Sequence, residues 1–309
     1  MPPSLLTRTT EAAVGLLGPW LFLALSTSFI PRTISHVLRT QSLSAALRTL
    51  LSPSRFRDAW FSQFWGYAGP GVRENAGVLV LPLLDGRTSG GCVLDSPTAP
   101  DAGVAGVVLE VGPGSGLWVD VFSDRGTEAE GAQRSSTARG KITRVYGVEP
   151  NPSHHAALRR AVVAAGLQDV YEIVPVGIED LSSSSSSGNK KKKWDGSIEP
   201  GSVDCVVTIL CLCSIPDPEQ HIRELYGLLR PGGRWYVFEH VRCEYSWYMR
   251  AYQRIINLVW PHLIGGCEIC RETEKSLRAA GPWSHIDIGQ PPVEQWYHSL
   301  PHILGVFTK

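Results

Sequence analysis

The chain has 309 residues, 43% of them hydrophobic and 19% charged, enough apolar content for a full core in one large domain or two small ones. Lysine plus arginine and aspartate plus glutamate each number 29, and this balance removes the global electrostatic case for nucleic acid as a partner. Seven cysteines, an odd number set mostly in apolar runs (Cys205, Cys211, Cys213), argue against a secreted disulfide scaffold and for a reducing compartment.

Residues 12–30 read AAVGLLGPWLFLALSTSFI without a charge, about the 20 residues that a membrane-crossing helix needs. Pro19 and the Gly15/Gly18 pair weaken that reading. A signal sequence cleaved near Ser26 and a buried helix are the alternatives to an uncleaved anchor or interfacial helix. Arg32, Arg39 and Arg48 follow the run, and the positive-inside tendency then leaves the rest of the chain facing the cytosol. Residues 35–51 carry a modest amphipathic helix pattern, and Pro53 opens an aromatic stretch, FRDAWFSQFWGYAGPG, suited to a lid helix. The expected division is an anchor and linker helix over 1–52 and a folded domain over 53–309.

Residues 85–103 have loop composition, after which strand-like and helical runs alternate. VVLEV leads to a helix from Leu117, RVYGVE to a helix opening at Asn151-Pro152, and VYEIVPV follows. VDCVVTIL then leads to a helix over 217–229, WYVFEHV follows the Pro231-Gly232-Gly233 turn, and SHIDIG and HILGVFTK close the chain. Such alternation predicts an α/β fold, a seven-stranded, mostly parallel, Rossmann-like sheet with an antiparallel last strand and the ligand crevice at the strands' carboxyl ends. Residues 124–140 and 182–193, the latter six serines, a glycine, an asparagine and four lysines, read as disordered insertions.

The strongest chemical signal is VVLEVGPGSG, an apolar strand running into Gly112, Gly114 and Gly116. Glycine suits a turn that needs positive φ and a close backbone approach to a ligand. Glu149, followed by Pro150, ends the second strand, where a carboxylate can accept both hydroxyls of a ribose. Its distance from Glu110, about 40 residues rather than about 20, shortens to the expected value once 124–140 is set aside. The third glycine comes one residue too early for the dinucleotide fingerprint, which favours S-adenosylmethionine (SAM) over NAD. Gly177-Ile178-Glu179-Asp180 after the third strand offers an apolar residue to pack on an adenine and acids to bind its amine.

Through VLEVGPGSG, VYGVEPNP, VGIEDL, GSVDCVVTILCLCSI, LRPGG and WYVFEHV, in that order, the sequence resembles the class I SAM-dependent methyltransferases. It is most similar to their membrane-anchored thiol S-methyltransferase branch. The shared features are the hydrophobic N-terminus, Ala68-Gly69-Pro70, Leu212-Cys213-Ser214, Glu239-His240-Val241 and a Gly266-Cys267…Arg271-Glu272 element. The resemblance implies SAM contacts at Glu110, Gly112, Gly114, Glu149, Ile178, Glu179 and Leu210. It also implies a small apolar acceptor, most naturally a thiol; an oxygen or nitrogen atom of a lipid, quinone or secondary metabolite, or a non-catalytic role as a membrane partner, are the alternatives. The expected place is the endoplasmic reticulum membrane. Departures are Pro113 in place of cysteine, Glu149 in place of aspartate and Gly265 in place of an acid.

Methyl transfer from a sulfonium is an in-line displacement, so the protein chiefly aligns donor and acceptor. A thiol needs no dedicated base, whereas an alcohol does, and His240 beside Glu239 is the candidate. Cys211-x-Cys213 and Cys267-x-x-Cys270 each lack the partners of a four-ligand site, so no metal is expected and both pairs read as buried structural cysteines. YSWYMRAYQRIINLVW, after the fifth strand, is suited either to walling an apolar acceptor pocket or to ordinary helix packing.

Overall fold

The computed structural model describes residues 5–123, 141–181 and 194–309, with side chains from residue 9 onward; the expected insertions 124–140 and 182–193 lie outside the described residues. Four helices come first: α1 (Leu5–Ser28), α2 (Ile30–Thr40), α3 (Leu43–Leu51) and the long α4 (Pro53–Leu84). The single helix expected over 35–51 is thus two, broken at Gln41 and Ser42, where the backbone is extended. Pro53 begins α4, a position that costs no hydrogen bond because the first amides of a helix have no partner within it.

Residues 85–103 are more than a loop, since β1 (Thr88–Ser89) and β2 (Cys92–Val93) form a small antiparallel hairpin. Its Gly90 amide donates to the Asp287 carboxylate at 2.6 Å, pinning the hairpin to the far edge of the main sheet. That sheet has seven strands: β3 (Gly106–Val111), β4 (Ile142–Val148), β5 (Tyr171–Val174), β6 (Val203–Ile209), β7 (Leu229–His240), β8 (His285–Gly289) and β9 (His302–Thr308). Their spatial order is β5-β4-β3-β6-β7-β9-β8. The first five run parallel and β9 is antiparallel to both neighbours, as the sequence pattern predicts.

The central strands are apolar runs because both their faces are covered. On one face Val108, Val145, Val207 and Tyr236 join Val80, Leu84 and Leu158; on the other Leu109, Val148, Val206 and Trp235 join Ile222, Leu225 and Leu277. Helices α5 (Pro152–Ala164), α6 (Pro218–Leu228) and α9 (Thr273–Arg278) supply part of that cover, while α7 (Trp247–Asn257) and α8 (Trp260–Leu263) follow β7. Asn151 caps α5 by accepting from the Ser153 amide at 3.0 Å, the start signal legible in Asn151-Pro152. The helix expected from Leu117 is instead a single 3-10 turn, Val119–Phe122.

A third cluster joins the N-terminal helices to the sheet's carboxyl end. Leu23 and Phe29 pack with Phe64, Trp60, Trp260, Ile264, Cys213 and Cys267. The Trp60 indole donates to the Ser26 carbonyl at 2.8 Å, and the Ser26 hydroxyl donates to the Leu263 carbonyl at 2.8 Å. Residues Thr9–Thr40 are long and apolar enough to cross a membrane, yet α1 here rests one face on the folded domain while Val14, Leu17, Leu21 and Leu25 stay exposed.

Candidate active site at the carboxyl ends of β3, β4, β6 and β7

The turn after β3 has positive φ at all three glycines: 69° at Gly112, 57° at Gly114 and 87° at Gly116. Their surroundings differ. A Cβ at Gly112 would stand 2.7 Å from the Cys211 Cβ, and one at Gly116 would stand 2.6 Å from the Ala161 Cβ on α5. These two glycines permit close packing of protein on protein. A Cβ at Gly114 would meet only the Trp65 ring, at 3.9 Å, so this is the glycine whose free side faces the crevice.

Glu149, at the end of β4, is 5% exposed and anchors that turn. One carboxylate oxygen accepts the Gly114 amide at 2.9 Å and the other the Asn151 amide at 2.8 Å. Burial raises its pKa to about 7, against the lowering effect of these two amides, with the Asp58 carboxylate raising it further. A carboxylate offers about four lone-pair sites, so two remain for a ligand diol after both amides are served. Glycine at 114 and a buried carboxylate beside it therefore fit the ribose and adjoining backbone-hugging part of SAM.

Helix α4 closes over this site. Phe61 and Trp65 stack at 5.4 Å, Phe61 meets the His154 ring edge-on at 6.1 Å, and the Asp58 carbonyl accepts from the Asn151 side chain at 3.4 Å. On the adjoining face of the helix Phe56, Trp60 and Phe64, spaced by four, pack into the N-terminal cluster, which Phe61 also touches. Arg73 holds the lid down with a bidentate pair to Asp120, at 2.6 and 2.7 Å, and lies 5.1 Å over the Trp118 ring. Gly69 lets α4 approach closely, since a Cβ there would come 2.7 Å from Leu117. The lid reading of this stretch matches the position of α4; the Arg73–Asp120 clamp was missed because nothing local links residues 47 positions apart.

Glu110 lies within the sheet at 3% exposure, its carboxylate accepting the Tyr171 hydroxyl at 2.6 Å. Tyr171 reaches it across β4 because Gly147, paired with Glu110, has no side chain; a Cβ there would lie 2.2 Å from the tyrosine oxygen. Burial pushes Glu110 up to about 7. Pro150 is exposed beside Glu149, Ile178 is buried at the start of a 3-10 turn, and Glu179 is half exposed with its carboxylate 3.9 Å from His221. Leu210, just after β6, has φ 54°, a conformation that leucine resists, and its amide donates to the Phe238 carbonyl at 2.8 Å.

The other side of the crevice is assembled from more distant parts. Glu239, fully buried, accepts the Cys211 and Leu212 amides at 3.1 Å each, and burial raises its pKa to about 7. Arg271 donates to the Leu212 and Ile215 carbonyls at 2.7 and 2.6 Å, so the loop after β6 is gripped from both sides. Glu239 is therefore a loop clamp. His240 has its Nδ1 3.8 Å from the Cys267 Sγ and its ring 4.5 Å from that of His302. The Cys213 Sγ completes a group of three ligand-type atoms, all within 4.8 Å of one another. Cys267 thus turns toward Cys213 and His240, and its spacing to Cys270 in the sequence gave no sign of this.

Helix α7 is split in role: Met249, Gln253 and Ile256 are buried, while Trp247, Tyr248 and Ile255 are exposed. Its third aromatic, Tyr252, is half-buried against the cluster that contains Cys213 and Cys267.

Comparison with known proteins adds three findings. A family model described as "Methyltransferase domain" matches residues 93–278. Human thiol S-methyltransferase TMT1A is 38% identical over 182 residues, covering 54% of this chain and 62% of that protein, and human thiol S-methyltransferase TMT1B is 38% identical over 110 residues, 35% of this chain and 45% of that protein. The chain therefore matches less than two thirds of the length of either relative. Among solved structures, an O-methyltransferase family protein from Burkholderia thailandensis superposes with TM-score 0.51 at 15% identity, covering 95% of this chain and 72% of the other. The SAM-dependent methyltransferase SibL in its apo form gives 0.50 at 16% identity, covering 96% of this chain and 76% of the other. At such identities these two speak for the fold alone.

Proposed function

Because the chain belongs to the methyltransferase domain family, we propose that it is a SAM-dependent enzyme whose acceptor is a small, apolar thiol. The observation that carries the acceptor class is the 38% identity to TMT1A over 54% of this chain. SAM, when bound, supplies an electrophilic methyl group on a sulfonium, and the rest of the work falls to binding and alignment. In this reading Glu149 accepts the ribose hydroxyls, Gly114 leaves room for the cofactor's backbone-facing edge, and Ile178 and Glu179 flank the adenine. Leu210 and the loop gripped by Glu239 and Arg271 set the floor on which donor and acceptor meet. Phe61 and Trp65 exclude water from above, which favours a charged donor reacting to neutral products. Glu110 acts from within the sheet by holding the end of β3.

An oxygen acceptor is the second reading, and its base would be His240. Two cysteine sulfurs next to that ring favour a site for sulfur over one for proton abstraction from an alcohol. Membrane association is part of the proposal: the outward apolar residues of α1, together with exposed Leu43, Leu47 and Leu51 of α3, suit a lipid surface, with the catalytic domain on the cytosolic side. Release of the full chain by detergent but not by high salt or carbonate would be expected; release by salt alone would contradict it. The acceptor is tested by offering thiols, phenols, aliphatic alcohols and amines with methyl-labelled SAM to the detergent-solubilised protein. Label in the thioether product is the expected outcome, and selective labelling of oxygen or nitrogen overturns the thiol assignment.

A further inference from the structure

Three short segments, Leu212-Cys213-Ser214, Glu239-His240-Val241 and Gly266-Cys267, lie far apart in sequence yet converge at one point. Cys213 follows β6, His240 ends β7, and Cys267 lies in the turn after α8. Their Sγ, imidazole nitrogen and Sγ lie within 4.8 Å of one another, and the Cys267 Sγ is 3.8 Å from the His240 Nδ1. Tetrahedral zinc, with Zn–S about 2.3 Å and Zn–N about 2.0 Å, places its ligand atoms roughly 3.5–3.8 Å apart. One pair already stands close to that separation, and the others need to close by at most about 1.3 Å.

The scaffold under these side chains is fixed independently of them. Glu239 holds the amides of Cys211 and Leu212, and Arg271 holds the carbonyls of Leu212 and Ile215. The Glu268 amide donates to the Cys213 carbonyl at 2.8 Å, tying the segment of one cysteine to that of the other. His240 is backed by the His302 ring, itself hydrogen-bonded to Glu294. Cys213 and Cys267 are 1% and 4% exposed, a poor place for lone thiolates. Two thiolates and a divalent cation sum to zero charge, so that a filled site is compatible with burial where an ionised pair is not.

We propose that Cys213, His240 and Cys267 bind one Zn²⁺ ion, and that its fourth position takes the sulfur of the acceptor thiol. A three-ligand set with one open position is the pattern of catalytic rather than structural zinc. The site stands at the carboxyl ends of β6 and β7, and strand spacing puts the end of β7 only about 10 Å from the glycine turn after β3. Coordination deprotonates the thiol, and its proton leaves to solvent. The sulfur lone pair then forms the S–C bond as the C–S bond of the sulfonium breaks; the neutral thioether is a poorer ligand and departs. No oxidant or reductant enters the balance. The acceptor half of this proposal rests on the thiol reading above, whereas the metal half does not.

The test uses full-length protein in detergent, stripped of metal by a chelator and titrated with Co²⁺. One Co²⁺ per chain is expected, with thiolate-to-cobalt charge transfer and tetrahedral d–d absorption, both bleached by Zn²⁺. Cys213→Ser and Cys267→Ser should each weaken binding by about tenfold or more, since even the loss of an outer partner of a metal ligand costs that much. Cys92→Ser and Cys270→Ser should leave it unchanged. SAM affinity, read on the same variants, separates a lost metal ligand from a lost fold. Hexanethiol should add charge-transfer intensity to the cobalt protein and hexanol should not. Failure to bind stoichiometric metal, binding that survives Cys213→Ser, or a disulfide between the two cysteines overturns the site. A spectrum unmoved by hexanethiol overturns the acceptor role, and metal binding without any thiol methylation sinks the proposed function while leaving the metal site standing.

Discussion

The two sides of the crevice are built in opposite ways. The side at β3 and β4 is made of contiguous motifs: a strand, a glycine turn, a strand-end carboxylate and a capped helix, tied by the Glu149–Gly114 hydrogen bond. The side at β6 and β7 has no such motif; it is three separate segments pulled together by Glu239, Arg271 and one amide-to-carbonyl bond. Contiguous motifs are constrained by local backbone geometry and can be read directly. A convergent cluster is set by tertiary packing and becomes visible only in the fold.

If that contrast is right, the β6–β7 side depends on the N-terminal helices far more than the β3–β4 side does. Removing residues 1–51 would strip Leu23, Ser26 and Phe29 from Trp60, Phe64 and Trp260, which join the cluster that contains Cys213 and Cys267. The expected result is aggregation or loss of cooperative unfolding, read by light scattering and thermal melts. A soluble, cooperatively folding product would show that α1 is a dispensable anchor, the reading suggested by the sequence alone.

A smaller, sharper effect is expected at Glu239. Glu239→Ala leaves two buried amides unpartnered at about 1–3 kcal/mol each, so destabilisation of several kcal/mol is expected in denaturant titrations. A change below about 1 kcal/mol would mean that the loop holds itself. On the other side, Gly112→Ala should cost more stability than Gly114→Ala, by about 1–3 kcal/mol of overpacking against Cys211. Equal losses at the two positions would contradict the assignment of Gly114 as the crevice-facing glycine.

Stability and cofactor binding also depend on pH. Glu110, Glu149 and Glu239 are raised to about 7 in the fold from the ordinary 4.5. The folded chain thus binds more protons than the unfolded one between those values. Their contribution to stability is fully present below 4.5 and falls as pH rises through 7. SAM affinity should run the other way, because Glu149 must be ionised to accept two hydroxyls; moving from pH 8 to pH 6 should weaken binding by about tenfold. Calorimetry at the two pH values checks this, and a Glu149→Gln variant should lose most of the dependence.

Much of the fold was legible: the seven strands, the antiparallel close and the Asn151 cap follow from apolar runs and turn residues whose physics is local. The break at Gln41-Ser42 and the hairpin at Thr88–Val93 were not, and the hairpin is pinned by a contact distant in sequence, Gly90 on Asp287. In the site, Gly114 and Glu149 stand together as their positions implied. Gly112 and Gly116 were grouped with Gly114 by pattern, whereas their neighbours are Cys211 and Ala161. Glu239 could be taken for a histidine's partner on adjacency alone, although two successive strand side chains point to opposite faces of the sheet.

The most direct measurement is the titration of SAM into the wild-type protein and into Gly114→Val, side by side, with unfolding midpoints recorded for both. A saturable wild-type isotherm, lost or weakened at least about tenfold in a folded Gly114→Val, is the predicted result: a branched side chain would fill the crevice and resist φ of 57°. Undiminished SAM binding by the folded variant would contradict the placement of the cofactor on this turn.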